Sequence, residues 1–263
     1  MIKIISFLLF CLAISGCAHE SGQKDRRGNP QHPRHTTGSY QNTKVTVSDR
    51  RNSSKTMDGT EIFRKYNTAV FMVFTSDGMN IYQGSGFFIN NTGLAVSNYH
   101  VFKNTGKGNE VIKLVGSDIA YKVSEVISYS EDEDFILFQV NCSNSNYIPI
   151  SRQKPSVGEK VFAIGSPRGL ENTFSSGEVS QWRDQNLMQI SALIDHGSSG
   201  GALINEYGEA VGITSGTFFD GSQANLNYAW SIDVIKPYID IEQHSTTKNT
   251  YDYFQIAATH IQE

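Results

Sequence analysis

Short apolar runs rich in β-branched and aromatic residues recur between residues 69 and 232, separated by Gly, Asn, Asp and Pro signals. They fall at 69–75, 81–89, 94–97, 110–115, 121–128, 135–140, 160–164, 173–182, 187–190, 202–204, 210–214 and 228–232. About a dozen short strands with few helices predict an all-β sandwich or barrel, and periodicity does not choose between the two. Two helical pieces flank them. Residues 61–66 can make one short turn ahead of the first strand, and 234–239 reads as a terminal helix.

Upstream the pattern changes. Residues 1–16 carry one positive charge at Lys3, run apolar from Ile4 to Ile14 and end in small residues, the form of a secretory signal. The run is shorter than the about 20 apolar residues that span a bilayer. Ile14-Ser15-Gly16-Cys17 resembles the bacterial lipobox, in which the cysteine becomes the acylated first residue of the mature chain. Cys17 is therefore expected to carry lipid and hold the protein to the cell envelope, at a periplasm-facing outer membrane. An ordinary cleaved signal beside an incidental cysteine is the alternative. Residues 17–58 are polar and charged with almost nothing apolar, so they cannot bury enough surface to offset their ordering entropy and read as a disordered tether. Residues 242–263 read as a polar tail.

With Cys11 in the signal and Cys17 lipidated, Cys142 is left as the only free thiol, so the fold must stand on its core without a disulfide. The roughly 200 patterned residues suffice for one compact unit or two small packed barrels. The net charge of −4 and the lack of a basic run after residue 60 exclude nucleic acid as the principal partner. No metal or cofactor is implied.

The candidate chemistry lies at strand ends. Gly197-Ser198-Ser199-Gly200-Gly201 is a small Gly-rich turn that feeds the apolar strand Ala202-Leu203-Ile204. Such a turn can expose one serine oxygen and aim successive N–H groups at one spot, as acyl transfer requires, although Gly/Ser clusters between strands are ordinarily plain loops. Upstream, the strand 94–97 delivers His100 at its far end, and the acidic run Ser130-Glu131-Asp132-Glu133-Asp134 leads into Phe135-Ile136-Leu137. Asp134 abuts the apolar strand and can be drawn inward, where a carboxylate needs a partner such as a histidine N–H. Histidine, aspartate, serine is one of the known chain orders of the Ser-His-Asp triad. In it His100 takes the proton of Ser199, Asp134 holds the His100 tautomer, and the N–H groups of Gly197 and Ser199 hold the oxyanion. His196 is too close in sequence to Ser199 to serve as its base and reads as a loop-rim histidine. Trp182 and Trp230 read as packing residues.

Five segments together carry a resemblance. Gly84-Ser85-Gly86-Phe87 with Ser97-Asn98-Tyr99-His100-Val101, Asp134-Phe135-Ile136-Leu137, Ala163 to Leu170, Ser176-Gly177-Glu178-Val179-Ser180 and Gly197 to Gly201 look like the trypsin-like protease domain of the HtrA/Deg type, in order and at similar spacing. The likeness spans about residues 60–240. It implies two packed six-stranded antiparallel β-barrels, about 60–145 and 146–233 within a domain at 59–241, with the triad in the cleft between them and a polypeptide substrate along it. It further implies a substrate pocket at Ala192, Leu193, Thr214, Ser215 and Gly216, uncharged and so suited to small or medium aliphatic side chains. The edge at Thr214-Ser215-Gly216 is expected to pair with substrate backbone.

Departures limit the carry-over. Ala202 replaces a usual proline, Ile136 replaces a usual small residue, and Ser198 stands where zymogen-activated relatives have aspartate. The sequence is expected to end without a PDZ module. The leading expectation is a serine endopeptidase acting on unfolded or exposed segments of envelope proteins. The alternative is a catalytically weak adaptor that keeps the fold to bind peptides or envelope proteins, and a third option is a structural lipoprotein.

Overall fold

The computed structural model describes residues 37–39, 45–48, 55–103, 105, 108–142, 145–166, 172–195, 197–217 and 226–242. The chain forms β1 (Thr37–Ser39), β2 (Val45–Ser48), helix α1 (Gly59–Tyr66), β3 (Val70–Ser76), β4 (Ile81–Phe88), β5 (Leu94–Ser97) and helix α2 (Tyr99–Phe102). It continues through β6 (Val111–Leu114), β7 (Ala120–Ser130), β8 (Phe135–Val140), β9 (Lys160–Gly165), β10 (Thr173–Trp182) and β11 (Leu187–Ile190). The last elements are β12 (Ala202–Asn205), β13 (Ala210–Thr217), β14 (Asn227–Ser231), a 3₁₀ helix at Ile232–Tyr238 and β15 (Ile239–Glu242).

Strand order β7-β6-β3-β4-β5-β8 closes on itself through β7–β8 pairing, which makes a first six-stranded antiparallel barrel with β1 added on β7. The second barrel closes in the order β10-β11-β14-β13-β12-β9. This is the paired-barrel architecture that the resemblance implies.

Residue alternation explains why two barrels pack as one body. In β8, Ile136 and Phe138 point into barrel one with Phe71, Val73, Phe88 and Ala95. Their neighbours Phe135 and Leu137 point the other way, into a core shared with Phe162, Ile164, Ala202 and Ile204 of barrel two. In β9, Val161 and Ala163 fill barrel two with Val179, Met188, Ile190 and Leu203. Strands buried on both faces read as continuous apolar runs, because period-2 alternation has no wet side to mark. Each fully buried Phe or Leu contributes roughly 1.5–3 kcal/mol, so the shared core fixes the barrels against each other and sets the cleft.

Helix α1 starts as its sequence directs. The Asp58 carboxylate accepts from Glu61 N at 2.8 Å while Glu61 Oε2 accepts from Asp58 N at 3.0 Å, a capping box that satisfies two end N–H groups. Its buried residues Ile62 and Tyr66 join the shared core.

The chain ends depart from expectation. The terminal helix is 3₁₀ and contains Pro237, which lacks the N–H an α-helical ladder needs, and residues 239–242 leave it as a strand. That strand pairs in parallel with Val45–Ser48, and Thr37–Ser39 pairs with Ser128–Ser130, so the segment 17–58 is not without structure throughout. Val-Thr-Val at 45–47 is β-branched and favours an extended chain. The signal, Cys17 and the tail beyond 242 lie outside the described residues. Cys142 is a free thiol.

Candidate active site

Both barrels send loops to one place. In barrel one, β5 ends at Ser97, and Asn98 starts the one-turn helix α2 that carries His100. From the turn that leads into the adjacent strand β8, Asp134 reaches the same place. Its Oδ1 accepts from the His100 backbone N–H at 2.9 Å, and its Oδ2 lies 2.8 Å from His100 Nδ1. Because a carboxylate only accepts, Nδ1 carries the proton and Nε2 is left as an acceptor. The Asp134 carbonyl accepts from Asn98 Nδ2 at 2.8 Å, and Asn98 is fully buried. The His100 side chain is 47% exposed and that of Asp134 15%. The rings of Tyr99 and Tyr129 stack beside this turn with centroids 5.2 Å apart.

Barrel two supplies the serine. Ser198 N donates to Asp195 O at 2.9 Å, closing a turn in which Gly197 has φ 91°. A type II turn requires positive φ at its third residue. In a type I turn the preceding peptide is flipped, which reverses the direction of the Gly197 N–H. The N–H groups of Ser198, Gly200 and Gly201 donate to Asp195, Thr214 and Ser198 carbonyls at 2.9, 2.7 and 2.9 Å. Those of Gly197 and Ser199 donate to no group among the described residues. Of the two serines, Ser198 is buried at 7% exposure while Ser199 is partly exposed.

Two adjacent residues of β13 tie the halves together. Ser215 Oγ donates to Asp134 Oδ2 at 2.8 Å, and a Cβ built on Gly216 would lie 3.1 Å from Ser199 Oγ. Ser85 is the second tie. It is fully buried, its N–H donates to Ser199 O at 2.8 Å, and its Oγ donates to Gly197 O at 2.7 Å while accepting from Ser166 N at 2.8 Å. A side chain at Gly84 would meet Val101 Cγ2 at 2.6 Å, so glycine there allows β4 to approach the serine loop. In the sequence, Gly84-Ser85-Gly86 stands out only as part of a motif. The flanking glycines in a buried strand were the available signal for close backbone approach.

The expected pocket residues divide. Ala192 is wholly buried among Val179, Ile190 and Leu203 inside barrel two, and Thr214 is 1% exposed with its Oγ1 donating to Ser198 O at 2.8 Å. Both side chains are buried. The chain after β11 and the middle of β13 are both drawn into the barrel wall, a packing that local sequence does not reveal. Ser215 is committed to Asp134. Leu193, 74% exposed, and Gly216, beside Ser199, remain at the surface. His196 and the segment 167–170 lie outside the described residues. No group of three or more His, Cys, Asp or Glu able to hold a metal occurs among the described residues.

Known proteins resemble the chain in sequence and in fold. Residues 84–213 match the model of the trypsin-like peptidase domain. The chain is 28% identical over 184 residues to Protease Do-like 1, chloroplastic, of Arabidopsis thaliana, covering 64% of this chain and 41% of that protein. It is 29% identical over 186 residues to the mitochondrial serine protease HTRA2 of Drosophila virilis, covering 66% and 43%. Against serine protease HTRA1A of Danio rerio it is 32% identical over 168 residues, covering 59% and 33%. The chain thus spans less than half the length of these relatives. In fold it is similar to a serine endoprotease from Yersinia pestis, with a TM-score of 0.61 at 24% identity over 70% of this chain and 65% of that one. Residues 84–213 are thus similar to the trypsin-like peptidase domain, and the chain is similar to HtrA- and Do-like serine proteases.

Proposed function

We propose that the protein is a serine endopeptidase that cleaves unfolded or exposed polypeptide segments through Ser199, His100 and Asp134. One observation carries the reading: the Asp134–His100 pair at 2.8 Å is tied through Ser215 to β13, whose next residue Gly216 lies beside a partly exposed Ser199, and the N–H groups of Ser199 and Gly197 have no acceptor among the described residues. Ser199 Oγ attacks the substrate carbonyl carbon as its proton passes to His100 Nε2. The carbonyl oxygen gains the negative charge and is held by the N–H groups of Gly197 and Ser199, each such donor being worth roughly 3 kcal/mol. The imidazolium formed is stabilised by Asp134, and its Nε2 proton then goes to the departing amine. Water repeats the sequence on the acyl-enzyme and frees Ser199.

Binding follows from the strand edge. β12 pairs with β13 only as far as Ile213, so beyond Thr214 this edge of β13 has no strand beside it among the described residues. Substrate backbone can add there as a further strand. The uncharged surroundings, Leu193 and Gly216 included, favour small or medium aliphatic residues before the cleaved bond. Labelled casein tests the activity. Wild type should degrade it and Ser199→Ala should not; intact casein after prolonged incubation with wild type would leave the adaptor reading.

The setting is a second part of the proposal. The signal-like residues 1–16 and the lipobox-like Ile14-Ser15-Gly16-Cys17 support a lipid anchor in the bacterial cell envelope, with the domain facing the periplasm. Intact-mass analysis of the mature protein tests it. A chain beginning at Cys17 with a diacylglycerol-sized increment is expected, and an unmodified terminus refutes the anchor.

A further inference from the structure

One cross-barrel contact serves neither the proton path nor the oxyanion. Asp134 has φ 44°, the only positive φ outside glycine among the described residues. The left-handed region is unfavourable for most side-chain-bearing residues and less so for Asp, so the contacts around Asp134 decide whether the turn keeps it. The turn 131–134 that carries Asp134 is fastened on its far side by Asn98, through the Asp134 carbonyl. On its near side the fastening is Glu133. Its N–H donates to Ser130 Oγ at 3.1 Å, and its side chain crosses to barrel two, where Oε1 accepts from Asn186 Nδ2 at 2.7 Å.

Asn186 is itself held at three points in the turn between β10 and β11. Its N–H donates to Asp184 Oδ1 at 2.7 Å, and its carbonyl accepts from Ser231 N at 2.7 Å. Its side-chain Oδ1 accepts from Lys154 Nζ at 3.3 Å. A cation at the amide oxygen and a carboxylate at the amide nitrogen fix which way the group points. Barrel two therefore grips the Asp134 turn twice, through Ser215 on Asp134 and through Asn186 on Glu133.

We propose that Asn186, acting through Glu133, is a positioning residue: it holds the strained Asp134 turn so that Oδ2 stays on His100 Nδ1 while Ser199 is presented from the other barrel. The inference rests on the triad reading above. Without the Asn186 contact the turn relaxes toward ordinary φ and the carboxylate moves off the imidazole. Misplacement of about 1 Å can cost up to about 10²-fold in rate.

The test is phosphonylation of the full chain by a rhodamine fluorophosphonate, resolved into kinact and KI, with thermal unfolding followed in parallel. Asn186→Ala and Glu133→Ala should each lower kinact about tenfold while KI stays within about twofold, because the contact acts on the reacting geometry and not on the probe's binding surface. Glu133→Gln keeps the Oε1 acceptor and should restore most of kinact. The double variant should be no slower than either single one, since both remove the same contact. If Asn186→Ala does not fold, Asn186→Asp, which loses the donor and keeps the size, must show the same loss. Variants equal to wild type, additive losses, or a loss residing in KI overturn the inference alone. A wild type that does not react at all overturns the triad reading with it.

Discussion

Gly200→Ala places a Cβ well inside contact distance of the Ser85 carbonyl oxygen and Ser97 Oγ, and 3.1 Å from Asn98 N, at a residue with φ 88°. None of these neighbours can yield cheaply. The Ser85 carbonyl is held by the Ser97 hydroxyl at 2.7 Å, and Ser85 N is held by Ser199 O. The left-handed backbone costs an alanine about 1–2 kcal/mol, offset by a few tenths to 1 kcal/mol from the stiffer unfolded chain. Overpacking adds about 1–3 kcal/mol, and displacing the Ser97 hydroxyl loses a hydrogen bond worth about 1 kcal/mol. The expected loss is about 3–5 kcal/mol, a large share of a stability of roughly 5–15 kcal/mol. Gly78→Ala is the control, since Gly78 has φ 93° and nothing within 4 Å of its would-be Cβ. It should lose only about 1 kcal/mol through backbone strain. Urea unfolding followed by the fluorescence of Trp182 and Trp230 measures both. If Gly200→Ala costs no more than Gly78→Ala, the tight junction between the serine loop, β4 and β5 is wrong.

Further outcomes follow from named contacts. Asp134→Asn presents an amide to His100 and favours the wrong tautomer, so kcat on labelled casein should fall about 10⁴-fold with the fold intact by circular dichroism. Ser215→Ala removes one donor from a carboxylate that keeps its His100 contacts, and a charge-assisted bond of about 1.5–3 kcal/mol expressed partly in the transition state predicts about a tenfold fall in kcat/KM. Tyr66, 2% exposed, has an Oη without a partner among the described residues, and burial together with the charge of Glu209 pushes its pKa up to about 12. Because the folded pKa lies above the ordinary value of 10.0, this group's contribution is complete below pH 10 and is lost as pH rises toward 12. Tyr66→Phe should therefore leave stability at pH 7 unchanged or higher, and should remove about 2–3 kcal/mol of the alkaline loss between about pH 10 and 12 in urea titrations.

The strand runs and the strand-end positions of His100, Asp134 and Ser199 were legible because each is a local signal: an apolar stretch, then one polar residue at its border. Phe135-Ile136-Leu137-Phe138 could be read as a buried strand, but not that alternate residues fill two different cores, because both faces are apolar. Contacts made across the barrels were not legible. Ser215 reaches Asp134 over 81 residues and Asn186 reaches Glu133 over 53, and nothing beside either donor in sequence marks its partner. The burial of Ala192 and Thr214 was not legible for the same reason, since their neighbours are supplied by barrel closure. Pairing of Val45–Ser48 with Ile239–Glu242 joins residues almost two hundred positions apart. A three-residue β-branched stretch in a polar segment carries too little signal to announce such a partner.

The proposed chemistry requires Ser199 to be an activated nucleophile. Its most direct measurement is the site of a fluorophosphonate adduct, located by peptide mass mapping of the full chain and compared with Ser199→Ala and His100→Ala. A single adduct on Ser199, absent from Ser199→Ala and slowed by orders of magnitude in His100→Ala, is the predicted result. An adduct on Ser198 or elsewhere, or equal labelling without His100, contradicts it.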